Sequence, residues 1–129
     1  MIIDSKRISE NLDINYNPDL RSYIEDIIDF LDILETKVTG KIKKEYSKDG
    51  DILTLDLHIE SSLILACAIT MLEVPYFLEF DTTLVFGPNL ENSDYILTRE
   101  INLDEIVFAQ IYMEKPYSVL HPSVDKENY

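Results

Sequence analysis

Alternating apolar and polar residues on either side of residues 48–51 predict a β-hairpin. The turn contains Asp49-Gly50, a pair that readily takes the positive φ angles that a tight hairpin turn needs. Before the turn, every second residue over 38–46 shares one strand face; after it, residues 52–60 alternate strictly between apolar and polar, apart from Ile52. The pattern therefore predicts an antiparallel hairpin with one buried face and one face open to solvent.

Further strands are predicted after the hairpin. Residues 61–67 continue it as a more uniformly apolar strand, and residues 76–86 alternate again until Gly87-Pro88 ends the run. A polar loop follows over residues 89–94, and residues 95–100 are a weaker strand candidate. These segments predict an antiparallel sheet at the centre of the fold.

A three-four spacing of apolar residues over 19–34 predicts an amphipathic helix in the first part of the chain. Asn17 or Asp19 could cap this helix, and Pro18 lies near its first turn. The pattern alone leaves the end of the helix open, because residues 30–34 fit a strand equally well.

A second helix is predicted near the end of the chain. Asn102 and Glu105 have the spacing of a capping box, and the apolar residues after them recur at helical spacing until Pro116. The predicted class is α+β, with an antiparallel sheet of about five to six strands, which could be barrel-like, and two covering helices. Residues 1–129 are predicted to form a single domain with a loosely ordered tail from about residue 120.

Composition narrows the classes of function. The 129 residues include 25 acidic and 11 basic side chains, and the formal charge of −14 disfavours a general binder of DNA or RNA. The single cysteine, Cys67, argues for a reducing compartment, and no apolar run reaches the length of about 18 residues that could span a membrane. We therefore expect a cytoplasmic protein without a membrane segment.

Pairs of carboxylates are the first candidates for catalysis. Glu79 and Asp81 lie two apart on a predicted strand and share a face, as do Asp56 and Glu60 at a longer spacing. Both pairs fall on the solvent face of alternating strands, together with His58, so we expect solvated side chains. A small hydrolase that uses Glu79 or Asp81 is kept as a hypothesis that requires a deep pocket converging on them.

The remaining residue types predict no catalytic residue, cofactor or metal. Cys67 lies in an apolar run that would raise the pKa of its thiol, and it is predicted to be a small core residue. One cysteine and two histidines without paired spacing do not make a structural zinc site. Three scattered glycines cannot form a phosphate-binding loop.

Residues 37–48 depart from the acidic background, with five lysines and one glutamate. Their charge of +4 leaves −18 on the other 117 residues. Lys37, Lys41 and Lys43 share a strand face, and with Lys44 they are the predicted contacts to nucleic acid. The competing interpretation is that these lysines protect an exposed strand from pairing with another sheet, or balance neighbouring acids.

Several short motifs follow one another along the chain. A V-x-G strand leads through the hairpin into an apolar strand that ends over residues 67–73. The residues at the motif positions are Val38, Gly40, Cys67, Thr70, Leu72 and Glu73. This order resembles the YceD family, known as large ribosomal RNA subunit accumulation proteins, in which many Firmicutes-type members have C-x-R-T-L-E at the end of that strand. Two departures are that Ile69 replaces the arginine and that Met71 adds one residue before the Leu-Glu pair.

A second block carries the same resemblance. Residues 101–107, with Leu103 among them, are similar to the family's I-D-L-x-x-x-V helix start, and residues 111–116 match its apolar end at a proline. The resemblance also implies that the first helix ends near Ile28 and that residues 30–46 form one extended strand. We adopt this ending over the purely periodic one.

The resemblance implies a function as well. The family is associated with accumulation or processing of large-subunit ribosomal RNA and is not known as an enzyme, so we expect a bacterial, non-enzymatic factor in 23S rRNA accumulation. Its partner would be a large-subunit ribosomal RNA precursor or a basic ribosomal protein, and the loss of the arginine at Ile69 shifts this expectation toward the protein. The alternative is an acidic adaptor, unrelated to ribosomes, whose charge steers it to a basic partner.

Overall fold

Within residues 1–8 and 10–123, which the structure describes, the chain forms seven strands and one α-helix. The structure is a computed structural model. The strands are β1 (Ile2–Asp4), β2 (Asn11–Tyr16), β3 (Phe30–Ser47), β4 (Gly50–Ala66), β5 (Glu73–Gly87), β6 (Tyr95–Ile96) and β7 (Glu100–Asn102), and the helix is α1 (Leu103–Glu114). The main sheet has the order β2-β3-β4-β5-β6, and β1 pairs with β7 in a small second sheet.

β3 and β4 form the predicted hairpin at the centre of the main sheet. They pair antiparallel from Ser47 and Gly50 beside the turn to Phe30 and Leu65 at the far end. β4 continues without a break through the apolar segment that follows the hairpin, and β5 pairs antiparallel along it. The hairpin and the long extended strand from Phe30 are therefore confirmed.

One face of the main sheet, which we call the inner face, is packed against α1. Alternate residues of β3 and β4 are buried there, as the period-two alternation predicts. The buried residues of these strands and of the helix include Val38, Ile42, Leu53, Leu55, Leu57, Ile59, Leu103, Val107 and Ile111. The intervening polar residues lie on the opposite side of the sheet, which we call the outer face.

α1 begins and ends where the sequence predicts. Asn102 Oδ1 accepts a hydrogen bond from the backbone N–H of Glu105 at 3.4 Å, so the predicted cap is present. The helix ends at Glu114, before Pro116, whose ring cannot continue it. Because Leu103 is fully buried, the capped end is also anchored in the core.

The predicted first helix is wrong. Arg21–Ile24 form a single 3₁₀ turn, so neither the periodic end at residue 34 nor the family-based end at Ile28 is reached. Leu20 is buried, whereas Ile28 is 80% exposed, so the apolar residues at helical spacing pack against the core over one turn only. A short helix depends on tertiary packing for its stability. Here Phe30 pairs with Leu65, so the chain forms a strand of the main sheet from that residue onward.

The main sheet is open and mixed, which corrects the expectation of an antiparallel, barrel-like sheet. β6 runs parallel to the end of β5, with Tyr95 opposite Phe86. The preceding loop turns the chain back, because Asp94 donates its backbone N–H to the carbonyl of Val85 and accepts the N–H of Val85 on its carboxylate, both at 2.8 Å. β2 and β6 lie at opposite edges, so the sheet does not close on itself.

The α+β class is confirmed, with one α-helix rather than two in the described residues. Of the tail predicted from about residue 120, residues 124–129 lie outside the described part of the chain. No helix among the described residues is long and apolar enough to cross a bilayer.

Candidate functional site

The outer face of β3, β4 and β5 carries the charged side chains that the sequence singles out. Residues opposite each other in antiparallel strands point to the same face, so pairing aligns these side chains in rows across the sheet. The rows are Lys43–Thr54–Val85, Lys41–Asp56–Thr83, Thr39–His58–Asp81 and Lys37–Glu60–Glu79. Lysines on β3 therefore lie beside acidic residues and one histidine on β4 and β5.

Lys37, Lys41 and Lys43 are exposed on the outer face, and we call them the lysine row. Acidic residues lie directly across from two of them, because Asp56 is opposite Lys41 and Glu60 is opposite Lys37. Within the described residues, none of the three amines has a carboxylate oxygen within 4.0 Å. The lysine row is therefore open to a partner, but the nearby carboxylates weaken its attraction for phosphate.

Lys44 does not join the lysine row. Its side chain points to the inner side of the sheet and is only 6% exposed. The ammonium donates a hydrogen bond to the carbonyl of Ser5 at 3.0 Å and lies 3.7 Å from Asp51 Oδ2. These partners belong to the protein itself, so Lys44 has a structural role and is not placed for contact with a nucleic acid.

His58 is at the centre of a cluster with three carboxylates. Its Nδ1 lies 2.7 Å from Asp81 Oδ1, while Nε2 lies 3.1 Å from Glu79 Oε1 and 3.4 Å from Glu60 Oε1. The hydrogen bond with Asp81 is the main reason that the pKa of His58 is raised above its usual value. Desolvation opposes this effect, and the hydrogen bond with Glu60 adds to it. We call these four residues the His58 cluster.

Three members of the His58 cluster could hold a metal ion. One ligand atom from each of His58, Glu60 and Glu79 lies within 4.8 Å of the others. The sequence predicts that Glu79 and Asp81 share a face. The register of β4 and β5 places Asp81 opposite His58 and Glu79 opposite Glu60. Sequence reasoning missed the cluster because it treated each strand separately. The signal that could have found it is the register obtained by folding β5 back along β4.

The geometry differs from what the hydrolase hypothesis requires. The side chain of Asp81 is 84% exposed and that of Glu79 is 50% exposed, so both carboxylates face solvent. A cavity of about 120 Å³ on this side of the sheet is lined by Glu35, Lys37, Glu60, Ser62 and Phe77. Neither Glu79 nor Asp81 lines that cavity, and both carboxylates lie on the surface of the outer face.

Cys67 follows the last residue of β4 and is fully buried, as the sequence predicts. The prediction that its surroundings raise the thiol pKa is wrong. Burial acts in that direction, but hydrogen bonds from the backbone of His121 and from Thr70 lower the pKa of Cys67 to about 6. The backbone N–H of Thr70 lies 3.5 Å from Cys67 Sγ, so the turn after β4 supplies a donor that the apolar sequence does not reveal.

Three of the family-motif residues have a clear packing role. Val38 and Leu103 are fully buried in the core. Gly40 lies where a Cβ atom would stand 2.0 Å from the carbonyl oxygen of Asp56, so no larger residue fits without a shift of the backbone. These positions of the motif are explained by the fold.

Three further motif residues lie in the exposed turn after β4 and at the first residue of β5. Thr70, Leu72 and Glu73 are all exposed there. The backbone N–H of Cys67 donates to the carbonyl of Leu72 at 2.8 Å, and the N–H of Met71 donates to the carbonyl of Cys67 at 3.0 Å. Met71 adopts a φ of 62°, so the residue that the motif lacks is accommodated in a left-handed conformation that closes the turn.

Comparison of the chain with protein-family models, with curated proteins and with solved structures finds no match. The function is therefore inferred from the motif order and from the chemistry of the outer face.

Proposed function

We propose that this protein is a non-enzymatic factor in large-subunit ribosome biogenesis that supports accumulation or processing of 23S rRNA. The observation that carries the proposal is the ordered resemblance to the YceD family, from Val38 and Gly40 through residues 67–73 to Leu103. The proposal implies a cytoplasmic location, since ribosomes are assembled there.

The outer face is the contact surface in this proposal. It is a largely polar sheet face on which the lysine row lies among carboxylates. Asp56 and Glu60 lie directly across from two of the three lysines, and the whole chain carries a charge of −14. A surface of this kind attracts a basic protein more strongly than it attracts RNA, because RNA phosphates are repelled by the surrounding acids.

The proposed partner is therefore a basic ribosomal protein of the large subunit, and direct contact with the ribosomal RNA precursor is the competing outcome. Complementary charge would favour association and the choice of partner. The lysine row belongs to the competing outcome, because its amines can bind a local phosphate, whereas a basic protein is attracted to the surrounding acids.

Deletion of the gene tests the proposal in the bacterium that encodes it. The expected result is a fall in 23S relative to 16S rRNA, with fewer mature large subunits in a sucrose gradient, and recovery when the wild-type gene is returned. A matched pair of variants then tests the surface. Asp13→Asn, Glu45→Gln and Asp56→Asn neutralise acids on the outer face, whereas Glu25→Gln, Asp26→Asn and Glu91→Gln neutralise exposed acids elsewhere.

Only the second of these variants is expected to restore the rRNA ratio. An unchanged ratio with a normal subunit profile in the deletion strain would overturn the proposal. Recovery of the rRNA ratio by both variants would support the role in ribosome biogenesis but would exclude the outer face as the contact surface.

The acidic outer face also favours one alternative, an adaptor that binds a basic protein outside the ribosome. Affinity capture from cell extract distinguishes the two functions. Recovery of a basic partner without large-subunit components would favour the adaptor, and recovery of large-subunit proteins would favour the proposed function.

A further inference from the structure

We propose that the His58 cluster is a binding site for a divalent transition-metal cation of the Zn²⁺ class, with His58, Glu60 and Glu79 as ligands and Asp81 as the group that orients the imidazole. The site shares no residue with the lysine row, although Glu60 lies across from Lys37. It goes beyond the proposed function, because it would bind the cation in the isolated protein.

The imidazole of His58 is held with Nε2 facing the two glutamates. Asp81 Oδ1 lies 2.7 Å from Nδ1, a distance at which Nδ1 carries the hydrogen and donates it to the carboxylate. In the neutral ring, Nε2 then presents a lone pair to the oxygens of Glu79 and Glu60, at 3.1 Å and 3.4 Å. These three atoms all accept and none donates, so they repel one another unless a cation or a proton lies between them.

Asp81 holds His58 in the way that proteins commonly orient histidine ligands of metals. Metal-binding histidines commonly donate their other ring N–H to a carboxylate, which fixes the tautomer and makes the ligating nitrogen more basic. Asp81 stands in that position relative to His58, and Glu60 and Glu79 lie on the side of the ligating nitrogen. The cluster thus has an order of ligands and a supporting carboxylate, which a set of acidic residues alone would not have.

Two paired strands of the main sheet hold the cluster in place. Glu60 is opposite Glu79 and His58 is opposite Asp81 in adjacent rows of the paired strands β4 and β5. The residue between them on β4, Ile59, is fully buried in the core and holds the strand in place. The ligand atoms therefore stand within 4.8 Å of one another before any cation arrives, which lowers the cost of ordering them.

The donor set decides the class of cation. One imidazole nitrogen and two carboxylates suit zinc and its neighbours in the first transition row, whereas Mg²⁺ prefers oxygen and water ligands. The ligand side chains are partly exposed, so water or a group from a partner can complete the coordination. Lys37 is the nearest basic residue in the same row, and its amine lies more than 4.0 Å from the carboxylates of the described residues.

Calorimetric titration of the purified, metal-free, full-length protein with ZnCl₂ tests the site. The expected result is one Zn²⁺ per chain, with NMR shifts of the His58 ring, and a much weaker response to MgCl₂. His58→Ala and Glu79→Gln should each lower the affinity at least about tenfold, and Asp81→Asn should lower it about tenfold to a hundredfold.

Two matched controls lie in the same chain. His121→Ala removes the other histidine, and Asp56→Asn changes an outer-face carboxylate that accepts a hydrogen bond from Thr83 rather than from His58. Both controls should bind Zn²⁺ like the wild type, and circular dichroism checks that each variant is folded.

Three results would overturn the assignment. They are the absence of Zn²⁺ binding, binding that both His58→Ala and Glu79→Gln leave unchanged, and binding of Mg²⁺ as tight as that of Zn²⁺. The last result would show that the carboxylates act as an acidic patch without the imidazole. None of these outcomes depends on ribosomes, so the site and the proposed function can fail separately.

Discussion

The inner and outer faces of the central sheet are made by the same strands, but their side chains have different roles. On β4, Leu55 and Leu57 point inward and are buried, whereas Asp56 and His58 alternate with them and point outward. Most of the inner side chains are apolar and fill the space under α1. Many of the outer side chains are charged, and three carboxylates stand at defined distances around His58. Stability is therefore expected to depend on the inner face and binding on the outer face.

The largest difference is expected between two neighbouring residues of β3. Ile42→Ala removes a fully buried side chain from the inner face and should lower the free energy of unfolding by about 2–5 kcal/mol. Lys43→Ala removes an exposed side chain from the outer face and should change it by less than about 0.5 kcal/mol. Urea denaturation measures both values. Equal losses in the two variants would contradict the division between the faces.

A smaller loss of stability is expected at Gly40, where the backbones of β3 and β4 approach each other closely. Gly40→Ala would place its Cβ atom 2.0 Å from the carbonyl oxygen of Asp56, so the strands must shift apart at a cost of about 1–3 kcal/mol. Lys41→Ala on the next residue is the control and should leave stability nearly unchanged. Thermal unfolding monitored by circular dichroism compares the two, and a Gly40→Ala variant as stable as the wild type would show that the approach of the strands is not tight.

The smallest effect concerns pH and a phenol at the rim of the core. Tyr16 packs against the core and donates a hydrogen bond to Asp104 Oδ1 at 2.9 Å. Burial, and then the hydrogen bond with Asp104, raise the pKa of Tyr16 well above its usual value. The stabilising effect of the neutral phenol is therefore complete below about pH 10, the pKa of an unfolded tyrosine, and is lost as the pH rises further.

Tyr16→Phe loses the hydrogen bond to Asp104, so this variant should be less stable than the wild type by about 1 kcal/mol at pH 8. Because phenylalanine cannot ionise, the difference in stability should narrow at pH 11. Urea denaturation at the two pH values measures it. Tyr117→Phe, at a side chain that is 97% exposed, is the control and should show no such narrowing. A constant difference between Tyr16→Phe and the wild type would contradict the raised pKa.

The inner face could be predicted from the sequence because its signals are local. Period-two alternation and an Asp-Gly turn involve neighbouring residues, and so does the cap from Asn102 to the N–H of Glu105. The predicted first helix failed because residues 19–34 fit two periods, and the choice between them is made by the pairing of Phe30 with the distant Leu65. The pattern of neighbouring residues does not predict a pairing between positions so far apart in the sequence.

The His58 cluster could not be predicted for a related reason. His58 and Asp81 are 23 residues apart, and their contact depends on the register of β5 against β4. β5 reaches that register after the turn that follows Cys67, where Met71 takes a left-handed conformation that few residues other than glycine adopt. A shift of one residue would turn Glu79 to the inner face and would break the cluster.

In the proposed function, the outer face binds a basic protein of the large ribosomal subunit. Co-sedimentation with large-subunit precursors tests it most directly, with two variants of opposite charge. The variants are Asp13→Asn, Glu45→Gln and Asp56→Asn for the acids, and Lys37→Gln, Lys41→Gln and Lys43→Gln for the lysine row, with Lys6→Gln, Arg7→Gln and Lys48→Gln as the control for net charge. Each is compared at low and at moderate salt.

We expect the acidic-residue variant to bind about tenfold more weakly than the wild type and the lysine-row variant to bind at least as well as its control. Salt should weaken the binding of the wild type. Weaker binding of the lysine-row variant alone would contradict the account and would indicate direct contact with RNA. Equal binding by all of the variants would remove the outer face from the interaction.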